Sequence, residues 1–144
     1  MSTADVRALC VERFNNSQTR ETIMQGLEAV VARLEVAGVP GDLWVDGSFV
    51  TEKIDPEDVD VILMSIAHFY DTASASQRAA MDWLDSNLKA THKVDSYLWL
   101  ELPATDPQSV ERDQDRTYWR GQFGFGREDE PKGVAVVTLS GRTP

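Results

Sequence analysis

Residues 59 to 64, Val-Asp-Val-Ile-Leu-Met, are apolar on both alternating sides except at Asp60. A run of that kind is stable only as a central strand covered on both faces, so a chain that carries it must build a sheet around it. Successive strand side chains point to opposite faces, which puts Asp58 and Asp60 on one face while Val59 and Val61 enter the core. Two carboxylates on one face at the edge of a buried strand are costly unless something pairs with them.

The remaining pattern supplies what that strand needs. Val6, Leu9, Cys10 and Phe14 recur at helical spacing and predict a first helix over roughly residues 3 to 14, ended by Asn15 and Asn16. Ser17 or Thr19 caps a longer helix in which Ile23, Leu27, Val30, Val31 and Leu34 form one apolar stripe, closed by Gly38 and Pro40. Leu43 to Val45 form a short strand ending at Gly47. Ser74 and Ser76 open a third helix with Ala80, Trp83, Leu84, Asn87 and Leu88 on one side, and "KVDSYLWLEL" gives a third strand with Asp95 near its start. Asp106-Pro107 begins a polar helix reaching about Arg120, "GQFGFGREDEPKG" reads as loop and turn, and Val134 to Leu139 is the last strand. No repeat or linker divides the chain, and 144 residues suit one core. The expected fold is α/β in the α+β sense: a mixed, twisted β-sheet with helices packed mainly on one face, in a single domain over residues 1–144.

Charge narrows the function classes. Fourteen Lys and Arg against 24 Asp and Glu leave a net charge of −10, so the average surface repels a phosphate backbone and non-specific DNA binding is not expected. Cys10 is the only cysteine and reads as a packed helix residue. His68 and His92 have no second histidine or cysteine at ligand spacing, which argues against zinc. Residues 1 to 20 hold no apolar run of signal-peptide length, and nothing approaches the ~18 apolar residues of a membrane span, so a cytoplasmic protein without membrane association is expected.

The segment before the central strand carries the chemistry. Gly47 lets the backbone approach a phosphate closely, and the Ser48 hydroxyl with free N–H groups of a turn can hold phosphate oxygens. Magnesium takes oxygen ligands, typically one or two carboxylates plus substrate phosphates, which suits Asp58 and Asp60 beside such a turn. An EF-hand is excluded, since no glycine falls at the sixth position from Asp55 or Asp58 and strand follows; Asp55 and Glu57 cap or solvate the turn instead.

Gly47-Ser48, nine intervening residues and Asp58-Val59-Asp60-Val61 resemble the signature of the DNA polymerase beta-like nucleotidyltransferases. The fuller string "LWVDGSFVTEKIDPEDVDV", with the later "PKGVAVV", is also similar to a small bacterial family within that superfamily. The resemblance implies that Asp58 and Asp60 hold two magnesium ions, with manganese as a substitute, and that Asp95 is the third carboxylate, helping to hold the catalytic ion and to orient or deprotonate the attacking hydroxyl. Gly47, Ser48, Thr51 and Lys53 become the candidate nucleotide-binding residues. Minimal members of the superfamily commonly carry an arginine just after Gly-Ser, whereas this chain has Phe49, Val50, Thr51, Glu52 and Lys53. The implied activity is transfer of a nucleoside monophosphate from ATP or another NTP to a hydroxyl on a protein, a tRNA or a small molecule, in a setting such as toxin–antitoxin or phage defence.

Two rivals stand beside that expectation. One is a non-catalytic nucleotide-binding or antitoxin-like protein that acts through a protein partner; the other is a sugar-nucleotide-binding D-x-D protein, which would prefer manganese and a UDP-sugar. Arg112, Arg116 and Arg120 form a helical stripe interleaved with Glu111, Asp113 and Asp115, best read as a solvated mixed-charge face, and Lys132 sits among turn residues. The glycines of "GQFGFG" do not follow a strand and open a helix, so they make a loop and not a nucleotide cradle. Trp44, Trp83, Trp99 and Trp119 are packing residues.

Overall fold

A computed structural model describes residues 1–101 and 135–140. Four strands form one mixed sheet in the order β3-β2-β1-β4: β1 over Pro40–Asp46, β2 over Val59–Ile66, β3 over Val94–Glu101 and β4 over Ala135–Ser140. β2 runs parallel to β3 and antiparallel to β1, and β1 is antiparallel to β4. The apolar run that demanded a central strand therefore has neighbours on both sides.

Helices cover one face of this sheet. The long helix α2, Arg20–Ala37, buries Ile23, Met24, Leu27, Val30, Val31 and Leu34 against Leu43, Val45, Val59, Val61, Leu63, Val94, Val137 and Leu139 in one core. Each such side chain contributes about 1.5–3 kcal/mol by leaving water. α2 stops at Gly38, which turns left-handed at φ 79° while the Val39 N–H bonds back to the Leu34 carbonyl. α4, Ala75–Asp85, starts from a capping box between Ser74 and Gln77 and adds Ala80, Met81 and Leu84 to the same core. On the opposite face Ile62 and Trp99 are buried, with Trp44 and Met64 packed on them.

The expected α+β architecture is present, with differences at its ends. The first helix is shorter than expected: α1 covers Thr3–Arg7 and passes into a π-helical turn over Ala8–Glu12, which leaves Leu9 exposed while Val6 and Cys10 stay buried. One extra residue per turn shifts the 3.6-residue stripe out of phase, so Leu9 leaves the core side. Thr19 stands at the N-cap of α2 without a capping hydrogen bond; Ser17 Oγ accepts from the Thr19 and Arg20 N–H groups instead. Two short helices were not foreseen, α3 over Ala67–Thr72 and α5 over Lys89–His92, and Asn87 lies beyond the end of α4 with φ 69°. The expectations for the 107–120 helix, its arginine stripe, Trp119, the glycine-rich loop and Lys132 lie outside the described residues. Among the described residues no helix is long and apolar enough to cross a membrane.

α2 and α5 touch at Gly26, where an added Cβ would stand 2.0 Å from the His92 carbonyl oxygen. Gly26→Ala gains about 1 kcal/mol of helix propensity, but backbone on the far side of the contact cannot yield as a side-chain end can. Overpacking costs about 1–3 kcal/mol and a contact this close to backbone falls at the upper end, so the clash is expected to win: unfolding free energy should drop by a net of about 1–2 kcal/mol, read as a lower urea midpoint at unchanged slope. An unchanged or raised midpoint would contradict this packing.

Candidate active site

β1 delivers Asp46 to the sheet edge and the chain then turns sharply. Gly47 has φ 87°, open to glycine at little cost, and an added Cβ would meet Asp60 Oδ2 at 2.8 Å. The absence of a side chain at residue 47 is thus what lets the turn lie directly against the Asp60 carboxylate. Ser48–Val50 form one 3₁₀ turn with Phe49 fully buried beneath it. Thr51 Oγ1 donates to the Ser48 carbonyl at 2.7 Å, so its hydroxyl braces the turn. Lys53 is exposed on the loop that follows.

The acids come from the strands. In the β2–β3 register Asp60 is the direct partner of Asp95, and in the β1–β2 register Asp60 is the partner of Asp46. Neighbouring strands lie about 4.8 Å apart, so Asp46, Asp60 and Asp95 form one row across three strands on the face away from α2. Val59, Val61, Val94 and Val45 alternate with them into the core. Asp46 is 3% exposed, while Asp60 and Asp95 are half-buried. Asp58 sits just before β2 on the same alternation as Asp60.

Neighbours from the α4–α5 junction engage two of these carboxylates. Lys89 Nζ lies 3.2 Å from Asp58 Oδ2, and Asn87 Nδ2 donates to Asp95 Oδ1 at 2.6 Å. The Lys89 N–H in turn donates to Asn87 Oδ1, so the two residues are mutually placed. The Asp58 hydrogen bond, then the charges of Asp58, Asp95 and Glu57, raise the Lys89 ammonium above its ordinary range. Tyr97 follows Asp95 on the same face, and its phenol is raised first by partial burial, then by the Asp95 charge and hydrogen bond and by the Asp60 charge. A cleft of about 410 Å³ opens beside Lys89, lined also by Gln18, Thr19, Thr22, Glu57 and Lys93.

The loop between the turn and β2 is held from below. Arg20, 1% exposed, sends Nη1 to the carbonyls of Cys10 and Phe49 and Nη2 to those of Ser48, Thr51 and Lys53. Its guanidinium stacks 3.6 Å from the centre of the Phe14 ring. Burial lowers its pKa, with Cys10, Glu52 and Asp55 acting against that shift. Asp55 caps the approach to α2, accepting from the Gln18 N–H at 2.8 Å and from Ser17 Oγ.

Of the residues expected in the site, Gly47, Asp60 and Asp95 come together directly, Ser48 and Thr51 shape the adjoining turn, and Asp58 flanks the row in its pair with Lys89. The donor set suits a hard divalent ion of the kind that binds one or two carboxylates and keeps its waters. Among the described residues no group of three or more His, Cys, Asp or Glu stands close enough to hold a metal ion. Asp58, Asp60 and Asp95 do not form such a group: like charges repel, and Asp58 and Asp95 each take a nearby donor. Asp46, Arg20, Asn87, Lys89 and Tyr97 were missed from sequence. Only Asp46 carried a signal, since it precedes Gly47 and alternates out of phase with Leu43 and Val45.

Fold and site together define a mixed α/β protein with a strand-borne acidic row beside a Gly-Ser turn. The chain belongs to DUF6932, a family of unknown function whose model matches residues 2–138. No curated protein and no solved structure matches it.

The Tyr97 phenol reports on the row. In an absorbance titration, with Tyr97→Phe as the assigning difference, Tyr97 should ionise above the value of about 10 for a free tyrosine. Asp95→Asn should bring it part of the way back, because partial burial remains. The raised value contributes stability that is complete below about pH 10 and is lost as pH climbs through the folded-state pKa. A Tyr97 that titrates like free tyrosine, or ignores Asp95→Asn, would contradict the placement.

Proposed function

We propose that this chain is a magnesium-dependent nucleotidyltransferase, moving a nucleoside monophosphate from an NTP to a hydroxyl acceptor with release of pyrophosphate. The observation that carries the reading is the register: Asp60 of β2 stands beside Asp95 of β3, with Gly47 against the Asp60 carboxylate. This puts a carboxylate pair and a turn able to approach phosphate within one side-chain length of each other.

In the reaction, the acceptor oxygen bonds to the α-phosphorus while the bond from that phosphorus to the oxygen of the departing pyrophosphate breaks. Asp95, oriented by Asn87, accepts the acceptor's proton. Gly47 and Ser48 bind the phosphate tail, and Thr51 keeps their turn in shape. Magnesium, when bound, would supply neutralisation of the phosphate charge, and the adjacent pair Asp60 and Asp95 are the residues that would hold it, Asp58 being engaged by Lys89. Lys89 offers a positive charge beside Asp58, 3.2 Å from its Oδ2.

A second reading, a nucleotide-binding protein that acts through a partner, is favoured by one specific feature. Lys89 already neutralises Asp58, as a protein that no longer recruits metal there could do permanently. Labelled ATP, CTP, GTP and UTP with magnesium and cell extract distinguish the two. Transfer is expected with at least one nucleotide, and Asp60→Asn and Asp58→Asn should each lower it about a hundredfold or more, in the range seen when one transition-state electrostatic contact is removed. Nucleotide binding without transfer would support the second reading, and transfer that survives Asp60→Asn would overturn the first.

A further inference from the structure

An arginine from another element lies under the Gly47–Ser48 turn. Arg20 sits at the start of α2, 29 positions before Phe49, and reaches the carbonyls of Ser48, Phe49, Thr51 and Lys53 together with that of Cys10 in the π-helical turn. Four of its five acceptors belong to the one loop that leads from Gly47 toward Asp58. Among the described residues it makes no ion pair, so main-chain dipoles and the Phe14 and Phe49 rings take the place of a carboxylate. Beyond the 3₁₀ turn, residues 51–58 have no regular structure and would otherwise sample many shapes.

We propose that Arg20 is the positioning residue of the Gly47–Ser48 turn, its buried guanidinium clamping the loop carbonyls so that the turn is pre-shaped for the phosphate tail of a nucleotide that Arg20 itself never touches. The identity of the ligand rests on the nucleotidyltransferase reading; the clamping of the loop rests on geometry alone. Planarity matters as much as charge here. A guanidinium holds its Nη donors in a fixed planar fork, whereas a lysine ammonium is a point charge that cannot span carbonyls of both the 48–53 loop and the π-helical turn. Because the clamp draws carbonyl oxygens inward and places a positive charge beneath the turn, it favours an anion above it in a chain of net charge −10.

Arg20→Lys separates geometry from charge. The Val50 and Thr51 amides, bonded to the Gly47 and Ser48 carbonyls, and the Lys53 amide, bonded to Thr51 Oγ1, report on the turn. Their hydrogen exchange in Arg20→Lys should rise at least about tenfold, as loss of one or two hydrogen bonds predicts, with the β2 amides of residues 61–63 unchanged. Affinity for a non-hydrolysable ATP analogue should fall by at least about tenfold in the folded variant, a change that a loss of global stability alone would not produce. Unchanged exchange at residues 50–53, or faster exchange with full affinity, overturns the proposal. If Arg20→Lys does not fold, the wild-type protein decides: its Arg20 Nη protons should give slowly exchanging nuclear magnetic resonance signals that shift when the analogue is added, and signals in fast exchange or unmoved by bound analogue overturn the clamp. A wild-type protein with protected Nη protons that binds no nucleotide overturns the nucleotidyltransferase reading and the turn's role with it, while leaving the loop clamp measured.

Discussion

The register of β2 against its two neighbours is the constraint on which the rest depends. Val59, Val61 and Leu63 are fully buried, and so are Val45 and Val94 beside them. Strand side chains alternate, so a slip of one residue on either flank would drive Asp60 or its neighbour acids into the core and push valines into the opposite face. Each carboxylate buried that way costs several kcal/mol, and each valine withdrawn from the core forfeits about 1.5 kcal/mol or more. The hydrophobic core therefore fixes where the acids stand. The row Asp46, Asp60, Asp95 is a consequence of packing on the other side of the sheet, which is how a stable framework can hold groups that repel one another.

Holding like charges in a row leaves them in need of partners, and the chain supplies these from short, conformationally unusual segments. Asn87 and Lys93 both adopt left-handed backbone, at φ 69° and 58°, on either side of α5. That pair of bends, with the buried Leu88 pinned by the Ser96 hydroxyl, sets Asn87 toward Asp95 and Lys89 toward Asp58. On the other side of the loop, Arg20 gathers carbonyls. The acid row thus lies between a donor-bearing hinge above β3 and a clamped turn after β1, and the parts likeliest to wander are fastened to helices that the core already holds.

Much of the scaffold could be read from periodicity. The α2 stripe, the central strand and the Ser74 cap of α4 all follow from short-range rules about apolar spacing and helix starts. The Gly47-Ser48 turn was equally legible, because it is local. What escaped was set by tertiary contact. The π-helical turn at Ala8–Glu12 has no signature in residue type, and α5 is four residues long, too short for a periodic pattern. Arg20 reads as one more polar residue near a helix start until the loop 29 to 33 residues later folds over it. Lys89 and Asn87 depend on how α4 ends. Parallel pairing of β2 with β3 was likewise silent in sequence, and it is the pairing that sets Asp95 beside Asp60.

The most direct test is a crystal structure of the protein with manganese and a non-hydrolysable ATP analogue, read by the anomalous signal of the metal. The account predicts manganese bound to carboxylate oxygens of Asp60 and Asp95, with the analogue's phosphates over the Gly47–Ser48 turn. Phosphates bound elsewhere, for instance between Thr22 and Lys93 in the cleft, with no metal at Asp60 or Asp95, would contradict it.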